Sequence, residues 1–471
     1  MHSVDRKWGL LLVTLLILFI SDPLLAGSWP EKPNIVLILA DDLGWSDVSF
    51  MGSQYYETPH LDQLAREGMK FTNAYTNAPN CAPTRACLMT GLYTPRHGIF
   101  TVGTSERGES RNRKLIPIPN KTELDPRFTT LPEVLKAAGY HTASIGKWHL
   151  GKGKEGGPQA HGFDLNIGGD NEGRTRSHFA PYHNPNLEEG PDGEYLTDRL
   201  TDEAIHYIEA HQSSPFFLYL PHYAVHTPIQ AKEEKIEKYR NKSPHGGQNN
   251  PTYAAMIESL DEGVGRIMET LDRLDLRRKT LVIFFSDNGG HGGITSNAPL
   301  RGMKGMLYEG GIRVPLVLSL PGTIAQDSFS DTPVIGIDFF PTLLEIAGVA
   351  KPADLNLDGL SFASLLLGEG QPSDRSLFWH FPGYLQMFEG GEGVWRTTPV
   401  GVIRKGGWKL MEFFEDGNLE LYNLEDDLGE QHNLIDDHHE LAQELLSEMR
   451  SWRKKTGAKL PNETNPDYVK N

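Results

Sequence analysis

Much of the chain alternates between two hydrophobic patterns, short continuous apolar runs and amphipathic stretches of helical period. The run Asn34–Ala40 is apolar without alternation, which is typical of a strand covered on both faces. The same pattern recurs at 215–221, 280–286 and 314–320. The amphipathic stretches predict helices at 197–212, 252–274 and 338–347. This alternation, from Pro33 to about Gly348, predicts an α/β fold with a large, mostly parallel sheet sandwiched by helices.

Capping signals predict where two shorter helices begin and end. Thr58 can cap a helix whose first turn holds Pro59, and that helix should end at Gly68. Thr130 and Glu133 have the spacing of a capping box, so a second helix should begin there and stop at about residue 139.

A change in composition divides the chain. Residues 354–373 are rich in Gly, Ser and Pro, so we expect a larger domain over 28–355 and a smaller one over 356–471. Strand patterns at 401–405, 408–414 and 419–424, with an Asp416-Gly417 turn signal, predict an antiparallel sheet. A polar helix should follow at 438–454, which makes this an α+β domain.

Three polar, glycine-rich stretches are too long to be simple connections between elements. We expect them to be binding loops, because long ordered loops in compact domains usually carry function. They lie at 101–126, 151–191 and 231–251.

The first residues have the order of a secretory signal. Arg6 and Lys7 precede an apolar run at 10–20, and small residues follow from Ala26 onward. A helix that crosses a bilayer needs ~20 apolar residues, and this run is shorter. We therefore expect residues 1–27 to be a cleaved signal peptide, with an uncleaved membrane anchor as the alternative.

Cysteine count and net charge narrow the cellular compartment and the kinds of ligand that the protein could bind. Cys81 and Cys87 are the only cysteines, which favours a bacterial periplasmic or extracellular protein over a disulfide-rich eukaryotic one. The net charge of −17 argues against binding nucleic acid. A pocket for an anionic ligand would have to be locally basic, although salt screens charges more than ~10 Å away.

The segment Cys81-Ala82-Pro83-Thr84-Arg85 is the central chemical signal. Pro83 suits the first turn of a helix, which would put Cys81 at the N-terminal end, where the helix dipole favours negative charge. Arg85 lies four residues on and so shares a helical face with Cys81. These two side chains could converge on one anion site. The alternative is a buried free cysteine with Arg85 capping a neighbouring loop.

Two pairs of oxygen-bearing side chains follow predicted strands. Asp41 and Asp42 come after the first strand, and Asp287 and Asn288 come after the run at 280–286. Ligands of open α/β sheets gather at the carboxyl ends of strands. Oxygen donors without His or Cys suit Ca²⁺ or Mg²⁺ and not zinc. A lone Asp-Asp would be read as a turn, but two such pairs predict a metal site.

Several motifs together resemble the type I sulfatases of the alkaline phosphatase superfamily. Cys-x-Pro-x-Arg at 81–85, followed by Thr90-Gly91, resembles their signature, with Thr84 where the family usually has Ser or Ala. Further blocks match in the same order along roughly residues 31–460; they are 34–44, 146–151, 286–289, 300–315, 421–424 and 430–434. The resemblance implies an alkaline phosphatase-like fold and hydrolysis of sulfate esters.

The resemblance also implies the cofactors. Cys81 would be oxidised by a formylglycine-generating maturase to formylglycine (3-oxoalanine), whose hydrate is the nucleophile. One Ca²⁺ would be bound by the side chains at the two strand ends and by residue 81; these ligands are Asp41, Asp42, Asp287, Asn288 and the formylglycine.

Further roles are implied residue by residue. Arg85 and Lys304 would stabilise or bind the sulfate, and Lys147 would bridge formylglycine and sulfate. His149 would orient or deprotonate the formylglycine hydrate. His226 would meet the sulfate and protonate the leaving oxygen, with His222 as a nearby competitor for that role.

The substrate is expected to be a sulfated sugar or polysaccharide, so the alcohol that leaves would be a sugar hydroxyl. Four residues near the domain junction are candidate sugar contacts, with ordinary interdomain packing as the equal alternative; they are Trp379, His380, Phe381 and Tyr384. A weaker candidate is the loop that carries Asp170, Arg174 and His178.

Two rival functions remain open. The first is a formylglycine-dependent phosphonate monoester or phosphodiester hydrolase of the same superfamily. Those enzymes tend to place a histidine in the metal site, and Asn288 argues against that reading. The second is a non-catalytic, glycan-binding relative of sulfatases. Such a protein should have lost site residues, and none of the expected residues is missing.

Overall fold

A large sheet forms the centre of the computed structural model, which describes residues 28–370, 375–389 and 391–470; the predicted signal at 1–27 lies outside them. The strand order is β5-β4-β6-β1-β7-β8-β2-β9. Only β8 pairs antiparallel with its neighbours in this sheet, so the predicted mostly parallel arrangement is confirmed. Its strands are β1 Asn34–Ala40, β2 Met69–Phe71, β4 His141–Ile145, β5 Leu165–Ile167, β6 Phe216–Pro221, β7 Thr280–Ser286, β8 Leu316–Ser319 and β9 Ser328–Ser330. Two short strands, β3 Ala74–Tyr75 and β10 Val334–Ile335, pair separately.

The central strand β1 shows why its sequence is continuously apolar. Ile35 and Leu37 point into one hydrophobic core, and Val36 and Ile38 point into another on the opposite face. Because successive side chains of a strand point to opposite faces, a strand between two cores has no polar positions.

Helices cover both faces of the sheet. Helices α1, α6, α7 and α8 contribute to one core, and α2, α4, α10 and α11 to the other. The predicted capping box is present at the start of α4, where the Thr130 N–H donates to Glu133 Oε2 at 2.7 Å. Within the described residues, no helix is long and apolar enough to span a bilayer. The helices are α1 Pro59–Arg66, α2 Cys81–Thr90, α3 Thr94–His97, α4 Leu131–Ala137, α5 Gly153–Gly156, α6 Leu196–Ala210, α7 Glu233–Arg240, α8 Pro251–Arg273, α9 Glu309–Ile312, α10 Phe339–Ile346, α11 Ala363–Leu366 and α12 His439–Thr456.

The C-terminal part is a four-stranded antiparallel sheet with α12 packed against it; the antiparallel sheet, three of its strands and the helix were predicted, and β11 was not. Its strand order is β11-β14-β15-β16. Tyr75 and Tyr93 from the larger part share its hydrophobic core, so the two parts are packed together. Its strands are β11 Leu377–Phe381, β14 Val400–Lys405, β15 Trp408–Phe413 and β16 Leu419–Asn423, and a separate hairpin pairs β12 Leu385–Gln386 with β13 Trp395–Thr397.

One predicted binding loop is a packing element instead. The stretch 231–251 contains α7, which lies against α8. Lys235 contacts Glu258 of α8 at 3.1 Å, and the Tyr239 hydroxyl donates to the same carboxylate at 2.6 Å. The prediction was wrong for these residues because their polar, charged positions pair with a neighbouring helix.

Candidate active site

Four parallel strands bring the predicted ligands together. In β1 and β7, Ala40 pairs with Ser286, so the residues that follow each strand lie side by side. The Asp287 N–H donates to the Ala40 carbonyl at 3.1 Å, and the Asp42 N–H donates to Asp287 Oδ1 at 3.3 Å. Strands β6 and β4 lie on the other side of β1 and end at the same edge of the sheet. The carboxyl edge therefore carries the site, as expected for an open α/β sheet.

Each carboxylate of this edge is paired with a cation. Lys147 Nζ lies 2.6 Å from Asp41 Oδ2, and Lys304 Nζ lies 2.6 Å from Asp42 Oδ1. The Arg85 guanidinium donates two hydrogen bonds to Asp287 Oδ2, at 2.7 and 3.0 Å. All six side chains are buried. Three acidic and three basic residues thus balance, which is a requirement for burying charge in a protein interior.

Two oxygen atoms in this network have no protein partner. Asp41 Oδ1 and Asn288 Oδ1 are buried and make no hydrogen bond to any described residue. Ligand atoms of Asp41, Asp42, Cys81 and His226 all lie within 4.8 Å of one another. An unpartnered buried oxygen is costly, and a hard cation would remove that cost at both atoms. The residues present therefore fit a Ca²⁺ or Mg²⁺ ion.

Cys81 is the first residue of α2, as Pro83 predicts. Its N-cap residue Asn80 is extended, and the helix ends at Gly91, whose φ of 66° lies in the left-handed region that glycine tolerates. Cys81 is 1% exposed, and its Sγ lies 3.9 Å from Asp42 Oδ1. Burial raises the pKa of the thiol to about 12, although the nearby lysine charges oppose the shift.

Arg85 does not reach the cavity that Cys81 faces. Its side chain is fully buried, and besides the Asp287 carboxylate it donates to the Lys147 carbonyl at 2.7 Å. Arg85 thus positions an expected metal ligand and the backbone of Lys147. The expectation that Cys81 and Arg85 meet on one anion is replaced by this indirect arrangement, because α2 points its guanidinium into the sheet edge.

The two central carboxylates have opposite pKa shifts. Burial favours the neutral acid of Asp42, but the charges of Lys304, His226 and Lys147 outweigh it and hold the pKa below its usual value. Burial and repulsion from Asp41 raise the pKa of Asp287 to about 6, against the opposing charge of Arg85.

His149 is held in an unusual backbone conformation at the cavity wall. Its φ is 64°, and its N–H donates to the Asp170 carbonyl at 2.8 Å. Gly173 packs on the imidazole so closely that a Cβ there would lie 2.5 Å from His149 Cε1. Burial, with the charge of Lys147 next, holds the pKa of His149 well below its usual value.

The structure separates the two competing histidines. His226 lines the cavity, and its Nε2 lies 3.6 Å from Asp42 Oδ2. His226 Nδ1 lies 2.8 Å from the Thr227 carbonyl oxygen, so Nε2 is the atom that faces the site. His222 is 1% exposed and does not line the cavity; its N–H donates to the Leu39 carbonyl at 2.9 Å.

A cavity of about 480 Å³ opens over Cys81. Two of the three predicted binding loops contribute to it, 101–126 through Arg107 and 151–191 through Arg174. Its described lining holds four cations and one carboxylate; they are Arg107, Arg174, Lys304, Arg396 and Glu172. The pocket is therefore locally basic in a protein of net charge −17.

Comparison with known proteins now decides the family. The sulfatase family model matches residues 33–349, and the model described as N-sulphoglucosamine sulphohydrolase, C-terminal, matches residues 303–455. This chain belongs to the sulfatase family. It is 37% identical to a sulfatase of Formosa agariphila, over 93% of this chain and 92% of the relative. It is 36% identical to the N-acetylgalactosamine-6-sulfatase of Mus musculus, over 76% of this chain and 70% of the relative.

A solved structure supports the same assignment. The crystal structure of Ps i-CgsB is 29% identical in sequence and has a TM-score of 0.76, over 92% of this chain and 95% of that chain. The protein is thus an enzyme, a type I sulfatase with the alkaline phosphatase-like fold that the sequence motifs imply.

The residues proposed as sugar contacts in this sulfatase lie away from the cavity. His380 is 3% exposed, and its Nε2 lies 2.9 Å from the Lys459 carbonyl oxygen. Trp379 Nε1 donates to the Thr76 carbonyl at 2.7 Å, and Phe381 and Tyr384 are also buried. The alternative of ordinary packing therefore applies to these four residues: β11 buries Trp379, His380 and Phe381, and Tyr384, which follows the strand, is also buried.

The weaker candidate loop contributes in a different way. Arg174 lines the cavity. Asp170 and His178 hold other residues in place, since the Asp170 carbonyl binds the His149 N–H and His178 Nε2 lies 3.0 Å from the His226 carbonyl oxygen.

Among the lining residues that sequence reasoning did not name are three basic or imidazole side chains and one aromatic one, namely Arg107, Arg396, His291 and Phe388. Two of them lie on or beside the hairpin of β12 and β13. The glycine-rich sequence at 390–393 between aromatic residues was the available signal, since such a pattern predicts a hairpin next to the predicted domain junction.

Proposed function

We propose that this sulfatase removes sulfate from a sulfated carbohydrate, using formylglycine at position 81 and one bound Ca²⁺. The observation that carries the proposal is the position of Cys81 at a basic cavity, beside unpartnered buried oxygen atoms of the sheet edge. Relatives support the substrate class. One is an N-acetylgalactosamine-6-sulfatase, and Ps i-CgsB has been solved in complex with k-i-k-neocarrahexaose.

The donor set supports both cofactors. Asp41, Asp42, Asp287 and Asn288 offer only oxygen, the donor that Ca²⁺ prefers, and two of these oxygens lack partners. The ion would supply positive charge next to the sulfate. Formylglycine at position 81, formed by the maturase, would supply a hydroxyl nucleophile that a thiol lacks.

The remaining residues have roles that follow from their positions. Lys304 lines the cavity, and Lys147 is fully buried against Asp41; both hold positive charge beside the carboxylates and would stabilise negative charge on the sulfuryl oxygens. His226 offers Nε2 to the leaving oxygen and transfers a proton to it. Burial, followed by the charge of Lys304, lowers the pKa of the His226 imidazole to about 3. A bound anionic substrate would raise that pKa and so favour the protonated ring. His149 acts as the base that deprotonates the formylglycine hydrate when sulfate is released. Arg85 positions Asp287 and Lys147.

The cellular setting is part of the proposal. The signal-like sequence at 1–27 and the two cysteines support export to a bacterial periplasm or beyond the cell. Neither cysteine is in a disulfide. Cell fractionation of the full-length chain should recover the shortened enzyme outside the cytoplasm, and retention of full-length protein in the membrane would support an anchor.

A pair of assays tests the reaction. Purified, matured enzyme is given 4-nitrophenyl sulfate and an aryl phosphodiester in parallel, with Cys81→Ala as the control. Sulfate release that greatly exceeds phosphodiester cleavage supports the proposal. The opposite ratio would assign a phosphodiesterase, which Asn288 in the metal site argues against. No turnover of either compound by matured enzyme would favour the non-catalytic, glycan-binding relative.

A further inference from the structure

Two arginines of the cavity have no acidic partner. Arg107 is half-buried and Arg396 is 9% exposed, and neither forms an ion pair with any described carboxylate. Both line the same cavity, and their charges interact. Burial lowers the pKa of Arg396 to about 10, and the positive charge of Arg107 is the next contribution to that shift. Buried guanidinium groups are normally paired, because removing a charge from water is costly. Two arginines without acidic partners in a substrate cavity therefore indicate that a bound anion pairs with them.

Arg396 is held so that one end of its guanidinium stays free. Its Nε donates to the Gln386 carbonyl at 2.9 Å, and its Nη1 donates to the Lys304 carbonyl at 3.1 Å. Its Nη2 donates to no described residue. A guanidinium fixed by two backbone carbonyls is preorganised to bind an anion with its remaining donors.

An aromatic stack fixes the plane of the same guanidinium. Arg396 Cζ lies 3.7 Å from the ring centroid of Phe388, and the His291 ring stacks on Phe388 with centroids 3.7 Å apart. Two groups at this distance cannot share one face of the ring, so Phe388 lies between them. Phe388 is a positioning residue that holds Arg396 against the cavity wall.

Arg107 presents its donors from the opposite loop. Its Nη2 donates to the Val102 carbonyl at 2.5 Å, and its Nε and Nη1 have no acceptor among the described residues. Room for Arg396 depends on Gly305, whose φ is +91° and where a Cβ would lie 2.8 Å from Arg396 Nη1. A side chain at 305 would displace the guanidinium.

We propose that Arg107 and Arg396 form a second anion-binding subsite, which holds a sulfate or carboxylate group of the substrate other than the sulfate that is cleaved. Lys304 places this subsite beside the reaction centre, because its carbonyl contacts Arg396 while its Nζ contacts Asp42. The second anion therefore belongs to the same sugar or to its neighbour. The substrate is a multiply charged glycan, an inference that rests on the proposed function.

Binding to the full-length Cys81→Ala variant tests the subsite without turnover. Three disaccharides of one backbone are titrated by calorimetry: one sulfated once, one sulfated twice, and one that carries one sulfate and one uronate carboxylate. Charge-assisted bonds to the two arginines should make at least one doubly charged disaccharide bind ~10–100-fold more tightly than the singly sulfated one. The doubly charged disaccharide that binds more tightly shows whether the second anion is a sulfate or a carboxylate. Equal affinity for all three would overturn the subsite.

Substitutions in the same background locate the effect. Arg396→Gln and Arg107→Gln should each remove most of the preference for the doubly charged ligand, and Arg396→Lys should keep part of it. Arg127→Gln is the matched control, because that side chain is 89% exposed and is not part of the described lining of the cavity. A preference that survives both glutamine variants would overturn the assignment, and Arg107→Gln carries the test if the more buried Arg396→Gln fails to fold.

Failure of the reaction and failure of the subsite remain distinguishable. Matured wild-type enzyme is assayed in parallel for sulfate release from 4-nitrophenyl sulfate and from the singly sulfated disaccharide. No release from either contradicts the proposed function, while the binding preference of Cys81→Ala still reports on the subsite. Release without any binding preference contradicts the subsite alone.

Discussion

The reaction centre and the cluster of Lys409, Glu309 and Glu430 both bury carboxylates against cations, yet their oxygen atoms have different surroundings. We call the second group the junction cluster, because Lys409 lies on β15 of the C-terminal sheet and Glu309 begins α9 of the larger part. Lys409 Nζ lies 2.9 Å from Glu309 Oε1 and 2.8 Å from Glu430 Oε1. All three side chains are fully buried.

The junction cluster uses its carboxylate oxygens inside the protein. Glu309 Oε2 accepts a hydrogen bond from the Tyr75 hydroxyl at 2.7 Å, and Glu430 Oε2 accepts one from the Glu309 N–H at 2.7 Å. None of its residues lines the cavity over Cys81. In the reaction centre, by contrast, Asp41 Oδ1 has no partner and the neighbouring side chains open onto that cavity.

This contrast separates a structural charge cluster from the one that we propose to be reactive. Buried charge and shifted pKa values occur in both, since burial and repulsion from Glu309 also raise the pKa of Glu430 to about 7. Glu430 Oε1 accepts no hydrogen bond but lies 2.8 Å from Lys409 Nζ, whereas Asp41 Oδ1 has neither a hydrogen bond nor an ion pair with any described residue and lies beside the basic cavity. Such atoms are what a metal ion or substrate would bind.

The largest expected effect is the loss of turnover in Cys81→Ala. Active protein should carry formylglycine, and mass spectrometry should find the peptide with residue 81 ~18 Da lighter than its thiol form, as expected for this oxidation of cysteine. The variant should still fold, because a small side chain at a helix start contributes little packing. Cys87→Ala is the control and should keep the modification and the turnover. Fully active protein with an unmodified Cys81 would contradict the mechanism.

Metal removal should rank next and should sharpen the comparison. Chelation, Asp42→Asn or Asp287→Asn should lower turnover by ~10³-fold, since a catalytic ion contributes several kcal/mol to the transition state. Elemental analysis should find less Ca²⁺ in both variants, whereas Glu309→Gln of the junction cluster should keep its full content. Restoration of the chelated enzyme by Zn²⁺ and not by Ca²⁺ would show that the oxygen ligand set is misassigned.

The third effect depends on the leaving group. His226→Ala should lose ~10²–10⁴-fold in kcat on a sulfated sugar and much less on 4-nitrophenyl sulfate, because only the sugar alkoxide needs a proton from a general acid. The buried His222 is the control, and His222→Ala should affect both substrates alike. Equal losses on both substrates for His226→Ala would remove its role as the acid.

The smallest effect on turnover is expected in the junction cluster. Lys409→Met removes the cation shared by two buried carboxylates and leaves Glu309 only the weaker pair with Arg313 at 3.4 Å, which should lower the free energy of unfolding by ~3–5 kcal/mol. Denaturant unfolding measures this loss, with the exposed Lys455→Met as control. The Ca²⁺ content per folded molecule should stay unchanged. A selective loss of Ca²⁺ would mean that the two clusters are not independent.

The convergence of the proposed metal ligands and the helix of Cys81 could be predicted because each depends on local pattern and a general rule of topology. The apolar runs of β1 and β7 identify buried strands, and residues after parallel strands meet at one edge of the sheet. Pro83 identifies the first turn of α2. The cation of each carboxylate could not be predicted in this way, because Lys147 and Lys304 arrive from distant loops.

The substrate side of the site was less predictable. His380 and its neighbours were expected at the sugar, but β11 buries them, while Phe388 and Arg396 of the following hairpin line the cavity. Alternation along a short strand does not reveal which of two faces meets a partner domain, since both faces can be covered. That choice depends on how the C-terminal sheet packs against the larger part.

By itself the sequence determined the fold class, through its periodicity, and the sulfatase family, through the resemblance of its motifs; the same motifs and strand ends predicted Cys81 as the reactive position and the oxygen-rich metal ligands that we propose. The tertiary structure alone decided that Arg85 positions Asp287, that His226 and not His222 faces the cavity, and that Arg107 and Arg396 stand unpaired in it. The physical reason is that these properties depend on side-chain direction and on partners from other segments. Chain folding sets both, and neither is written in local pattern.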